Sequence, residues 1–146
     1  MEYLLFVGYL LLFAWLVTKV NFFRNSGLSK SQLMIIFFLK VIAGIFYGWV
    51  GIYYGGYAKM WDTWVFHTSG LYEYHLMQTD PQEYLTNLFR NGYEDGMNRF
   101  FESRDSYWND LKGNVFVKML SVFDFFSQGH YYVNVLFYSF LSLFGP

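Results

Sequence analysis

The stretch from Leu33 to His67 limits the possible folds most. Between Leu33 and Tyr57 the only charged residue is Lys40. A helix needs roughly 20 apolar residues to cross the hydrocarbon core of a bilayer, and this run has the length to do it. The run then delivers Trp61-Asp62-Thr63-Trp64 just beyond its end. Composition fits a membrane setting: the chain is 55% hydrophobic, 25% aromatic and only 14% charged, where soluble domains average about 25% charged. The expected class is an all-α, polytopic membrane protein with three transmembrane helices, the third read as truncated, and interfacial amphipathic helices in a long outer loop.

The segments follow from charge. Tyr3 to Thr18 carries no charge and reads as a first membrane helix of about 24 Å, which Val20 to Phe23 extend if Lys19 snorkels. It lacks the basic leader and small-residue cleavage site of a secretory signal. The Lys19–Lys30 loop holds Lys19, Arg24 and Lys30 and no acid. Asn25-Ser26-Gly27 marks a turn there, and Ser29 or Ser31 is placed to cap the next helix. A purely basic short loop belongs on the cytoplasmic side, so the N-terminus and residues 59–126 are expected outside. Residues 1–58 thus form two membrane helices, 59–126 an outer loop, and 127–146 a third membrane helix. The chain ends at Gly145-Pro146 without a basic flank, which reads as the N-terminal piece of a larger membrane protein.

Within the long helix, Lys40 sits near the cytoplasmic end, where its stem can snorkel. Gly44 and Gly48, and then Gly51 and Gly55, are small-residue pairs that let another helix approach closely, inside this chain or in a partner. The tyrosines and tryptophans from Tyr47 to Trp64 form a belt suited to the headgroup level.

The outer loop is acidic: Lys59 to Asp124 has ten acids and six bases. Asp80-Pro81-Gln82-Glu83 predicts a helix start, with Asp80 as N-cap, Pro81 in the first turn and Glu83 returning the bond. Asn91-Gly92 is placed to end that helix. Asp105 or Ser106 opens a second amphipathic helix through Val122, with Lys112 and Lys118 on its polar side; it reads as lying in the interface plane or, alternatively, as a soluble-facing helix packed on its neighbours.

Chemical candidates are few. There is no cysteine, so disulfides and thiolate sites are excluded. Net charge near zero gives no case for nucleic acid. There is no G-x-S-x-G elbow and no phosphate-binding glycine loop. His67, Glu73 and His75 match no standard zinc spacing and read as loop residues, and His130 reads as a turn residue. Asp62 lies between two tryptophans. It reads either as a helix-capping acid or as a base in a partly dehydrated setting. Arg90, Arg99 and Arg104 either bind a lipid phosphate or pair with neighbouring acids.

One resemblance is carried by Tyr53-Tyr54-Gly55-Gly56, Asp62-Thr63 and Tyr131-Tyr132-Val133-Asn134. In layout the chain resembles the N-terminal portion of polytopic GT-C class glycosyltransferases, which use polyprenyl-phosphate sugar donors. The resemblance implies sugar transfer at the outer face of a membrane, such as a bacterial inner membrane. Asp62 would act as general base or help hold a divalent metal ion. Arg90, Arg99 or Arg104 would take the donor phosphate. The chain departs from the family in its extra leading helix, and the next acid after Asp62 is as far away as Glu73. The readings from other classes are a non-enzymatic integral membrane subunit of a larger complex, and a transporter fragment.

Overall fold

The structure is a computed structural model that describes residues 1–58, 62–89 and 107–145; for residues 55–58 and 62 the description is of the backbone alone. Every regular element in the described residues is helical: α1 (Glu2–Lys19), α2 (Asn21–Arg24), α3 (Lys30–Ala58), α4 (Asp62–Thr79), α5 (Pro81–Thr86) with a 3-10 turn (Asn87–Phe89), α6 (Tyr107–Ser127) and α7 (Tyr131–Leu141). Contacts divide the chain into two compact units. The first is Met1–Trp64 with His130–Pro146, and the second is Val65–Gly129.

In the first unit, α1 and α3 have the length and apolarity to cross a membrane. Only 11% and 22% of their apolar windows are buried within the protein. A core helix of a water-soluble protein buries most of such a surface; most of the apolar surface of α1 and α3 lies open, which is compatible with membrane association. α7, at 11 residues, is shorter than a bilayer crossing requires. Among the described residues, two helices are long and apolar enough to span.

α1 does not run on through Val20. That residue is extended (φ −64°, ψ 128°) and its N–H closes α1 on the Leu16 carbonyl. Asn21–Arg24 then forms a separate turn of helix, which folds Phe23 into the core instead of lengthening the first span. Gly27, at φ +79°, takes the left-handed turn that a residue with a Cβ adopts only at a cost. Ser29 starts α3 as half of a reciprocal cap. Its Oγ accepts from Gln32 N–H at 3.2 Å, and its own N–H donates to Gln32 Oε1 at 2.9 Å. Two of the orphan donors at the helix start are thereby satisfied.

Leu33, Phe37 and Val41 are buried on α3, and Gly44 and Gly48 continue that stripe. The spacing of three and four keeps them on one face. They meet Phe13 and Val17 of α1 and Leu136 of α7 in one core. Aromatic rings fill it: Phe13 stacks on Phe140 at 4.8 Å and meets Phe137 edge-on at 5.0 Å. α7 comes close because glycines leave room. A Cβ on Gly44 would lie 2.6 Å from Val135 Cγ1, and one on Gly48 would collide with the Tyr131 ring.

In the second unit, Asp80 caps α5 by accepting from Glu83 N–H at 3.0 Å. Asp80 N–H donates to the Leu76 carbonyl at 2.8 Å, at the end of α4. One residue thus ends one helix and starts the next. α5 passes into the 3-10 turn after Thr86; Asn91-Gly92 lies outside the described residues. α6 begins at Tyr107, close to the expected start. It ends through Gln128 and Gly129, both left-handed (φ +56° and +76°), with Gly129 N–H bonded to the Asp124 carbonyl. This six-to-one bond is the Schellman closure.

Candidate functional site

Two features have polar chemistry, one in each unit. The first is the start of α4. Asp62 is its first residue, and its side chain lies outside the described set. Two residues on, Trp64 is tied down: its indole N–H donates to the Gly48 carbonyl at 3.0 Å, and its ring stacks on Tyr131 at 4.1 Å. Trp64 therefore rests against α3 and α7 where Gly48 makes space. The tether fixes where α4 begins, and so where Asp62 stands in the chain's path. A carboxylate at a helix N-terminus is favoured in its charged form by the helix dipole. Arg90, Arg99 and Arg104 lie outside the described residues.

Of the small-residue pairs, Gly44 and Gly48 are taken up by α7 within the same unit. Gly51 and Gly55 lie farther along α3.

The second feature is a cavity of about 560 Å³ in the second unit, lined by residues of α4, α5, the 3-10 turn and α6. Glu73 and Lys118 both line it. Their charged atoms are 2.5 Å apart and both side chains are 14% exposed. Asn87 Nδ2 donates to the other Glu73 oxygen at 2.9 Å. Lys118 also donates to the Tyr84 carbonyl, and its ammonium lies 3.6 Å from the centre of the Tyr84 ring. The ammonium thus serves a carboxylate, a carbonyl and an aromatic face. Glu83, Asp110 and Asn114 add two carboxylates and an amide to the walls; Thr68, Ser69 and Tyr72 add hydroxyls.

The cavity uses a helix where a solvated loop is expected. His67, Glu73 and His75 all lie on α4. His67 and Glu73, six residues apart, point to different sides of it. Glu73 faces the cavity, and His67 faces Asp124 of α6 with Nδ1 at 3.7 Å from Oδ1. That distance is beyond hydrogen-bond reach. Burial prevails at His67 and lowers its pKa from the ordinary 6.5. Among the described residues no group of three or more His, Asp or Glu is placed to hold a metal ion.

The sequence points to neither Asp110 nor Asn87, and it puts Lys118 among solvated charges. Spacing holds no signal for them: Lys118 and Glu73 are 45 residues apart. The nearest hint is Lys118 itself, a charge inside the long apolar series of α6.

No protein-family model, curated protein or solved structure matches the chain.

Proposed function

We propose that the chain is a membrane-embedded glycosyltransferase-like protein that takes a sugar from a polyprenyl-phosphate donor at the outer membrane face. In this reading α1 and α3 cross the bilayer and α7 begins a third crossing. Asp62 is the general base that deprotonates the acceptor or orients a divalent cation. Arg90, Arg99 or Arg104 take the donor phosphate through charge-assisted bonds.

The observation that supports it is the tethered start of α4. Asp62 lies four residues past the end of α3, and Trp64 holds the helix start against Gly48 and Tyr131. A reacting carboxylate needs a fixed position, because small displacements lose large factors in rate. A carboxylate that only capped a helix would not require this double tether two residues away.

The experiment is Asp62→Asn in the chain expressed in membranes, with transfer from a polyprenyl-phosphate sugar followed by radiolabel. The expected loss is at least about 100-fold, the lower end for removing a general base, at unchanged expression. Unchanged transfer would end the catalytic reading. Absence of transfer by the unaltered chain would instead favour a non-enzymatic membrane subunit.

A further inference from the structure

The cavity of the second unit has a charge balance that the proposed transfer does not use. Its described lining holds three carboxylates, Glu73, Glu83 and Asp110, against one ammonium, Lys118. The ammonium is already engaged by Glu73, by the Tyr84 carbonyl and by the Tyr84 ring. It is not positioned to receive an anion. Beyond neutral hydroxyls and amides, what the lining offers is carboxylate acceptors.

Two of these acceptors lack a donor. Asp110 Oδ2 and Asn87 Oδ1 are buried and accept no hydrogen bond. The Asn87 amide is oriented by its Nδ2 bond to Glu73. A carboxylate accepts and does not donate, so Oδ1 is the atom left over. A buried acceptor without a donor is destabilising, so a donor-bearing ligand has something to gain here.

We infer that this cavity binds the primary ammonium group of an amine-bearing ligand. An ammonium supplies the donors that Asp110 and Asn87 lack, and its charge offsets the net negative lining. A volume of about 560 Å³ is in the range of small-molecule sites. A phosphate is disfavoured because Lys118 is committed. A neutral polyol offers donors but gains nothing from the charge. A bare divalent cation finds no three converging ligands of the usual kind among the described residues. The amine is either a free one or the headgroup of an aminophospholipid. The inference stands on the cavity alone and does not rest on the transferase reading.

The test uses the full chain in nanodiscs. Calorimetric titration with putrescine in phosphatidylcholine discs reads a free amine. Thermal stability in discs with phosphatidylethanolamine against discs of phosphatidylcholine alone reads a lipid headgroup. Sorbitol and calcium are the comparison ligands. The expected result is saturable binding in one of the two amine arms, weakened about tenfold by Asp110→Asn, the loss of one charged partner. Ser69→Lys puts a competing ammonium at the cavity wall and leaves Glu73, Glu83 and Asp110 themselves unchanged. It is expected to weaken the same arm similarly and decides the matter if Asp110→Asn does not fold. No binding in either arm, unchanged affinity in both variants, or equal response to sorbitol or calcium would overturn the inference.

Discussion

At the scale of single residues, the closest packing depends on glycines that have no side chain to show. Gly44 and Gly8 both lie in helices, yet their surroundings are opposite. A Cβ at Gly44 would lie 2.6 Å from Val135 Cγ1, and nothing lies within 4 Å of one at Gly8. Between helices in lipid there is little hydrophobic drive, and close van der Waals approach does more of the work. Gly44→Val should therefore push α7 off α3, destabilising the first unit by about 1–3 kcal/mol, the usual range for overpacking. Gly8→Ala should be neutral or stabilise by up to about 1 kcal/mol through helix propensity. Thermal unfolding of the two variants in detergent separates these outcomes, and equal shifts would mean that Val135 gives way without loss. The pairs Gly44/Gly48 and Gly51/Gly55 are visible in the sequence, but which helix they receive is not. That depends on Val135 and Tyr131, about 90 residues away.

At the scale of elements, legibility follows how local the determining contact is. The caps at Ser29 and Asp80 are readable because donor and acceptor are three residues apart. α4 is hard to read. Its apolar residues, Trp64, Val65, Phe66, Leu71, Tyr72 and Leu76, trace no single face, and its polar residues contact α6 and the Asn87 turn. α6 is amphipathic as its sequence suggests, and its sides have an arrangement that suits lipid. Ser121, Asp124 and Ser127 are buried, while Val115, Phe116, Met119, Val122, Phe125 and Phe126 are exposed. A water-bathed helix turns such residues inward. The apolar side of α6 should therefore contact acyl chains. The chain has no cysteine, so single nitroxide labels at positions 119, 122 and 126 need no background removal. In bilayers these labels should be more accessible to oxygen than to a water-soluble nickel complex. A label at the exposed Gln82 of α5 should show the reverse. Nickel accessibility at all four positions would place this face of α6 in water.

At the scale of the whole molecule, the two units differ in what their interiors contain. The buried residues of the first are apolar apart from Asn134 and Ser139. The second buries Ser121, Asp124 and Ser127, with His67 beside Asp124. A titration in the interior should therefore register in the second unit. Burial lowers the pKa of His67 from 6.5, so between 6.5 and that lower value the unfolded chain binds a proton that the folded chain refuses. Stability rises with pH wherever the unfolded state binds more protons. The second unit should hold its full stability above about pH 7, lose it as pH falls through 6.5, and stop losing it below the folded pKa. The nearby Asp124 carboxylate favours protonation but, at 3.7 Å, is too far for the hydrogen bond that would reverse the sign. Hydrogen exchange followed by mass spectrometry at pH 7.5 and 5.5, corrected for the intrinsic rate, resolves α4 and α6 from α1 and α3. Protection should fall in α4 and α6, and His67→Gln should remove that fall. A loss of protection that persists in His67→Gln would assign the titration to another group, and protection that increases on acidification would mean that the imidazolium–Asp124 attraction outweighs burial.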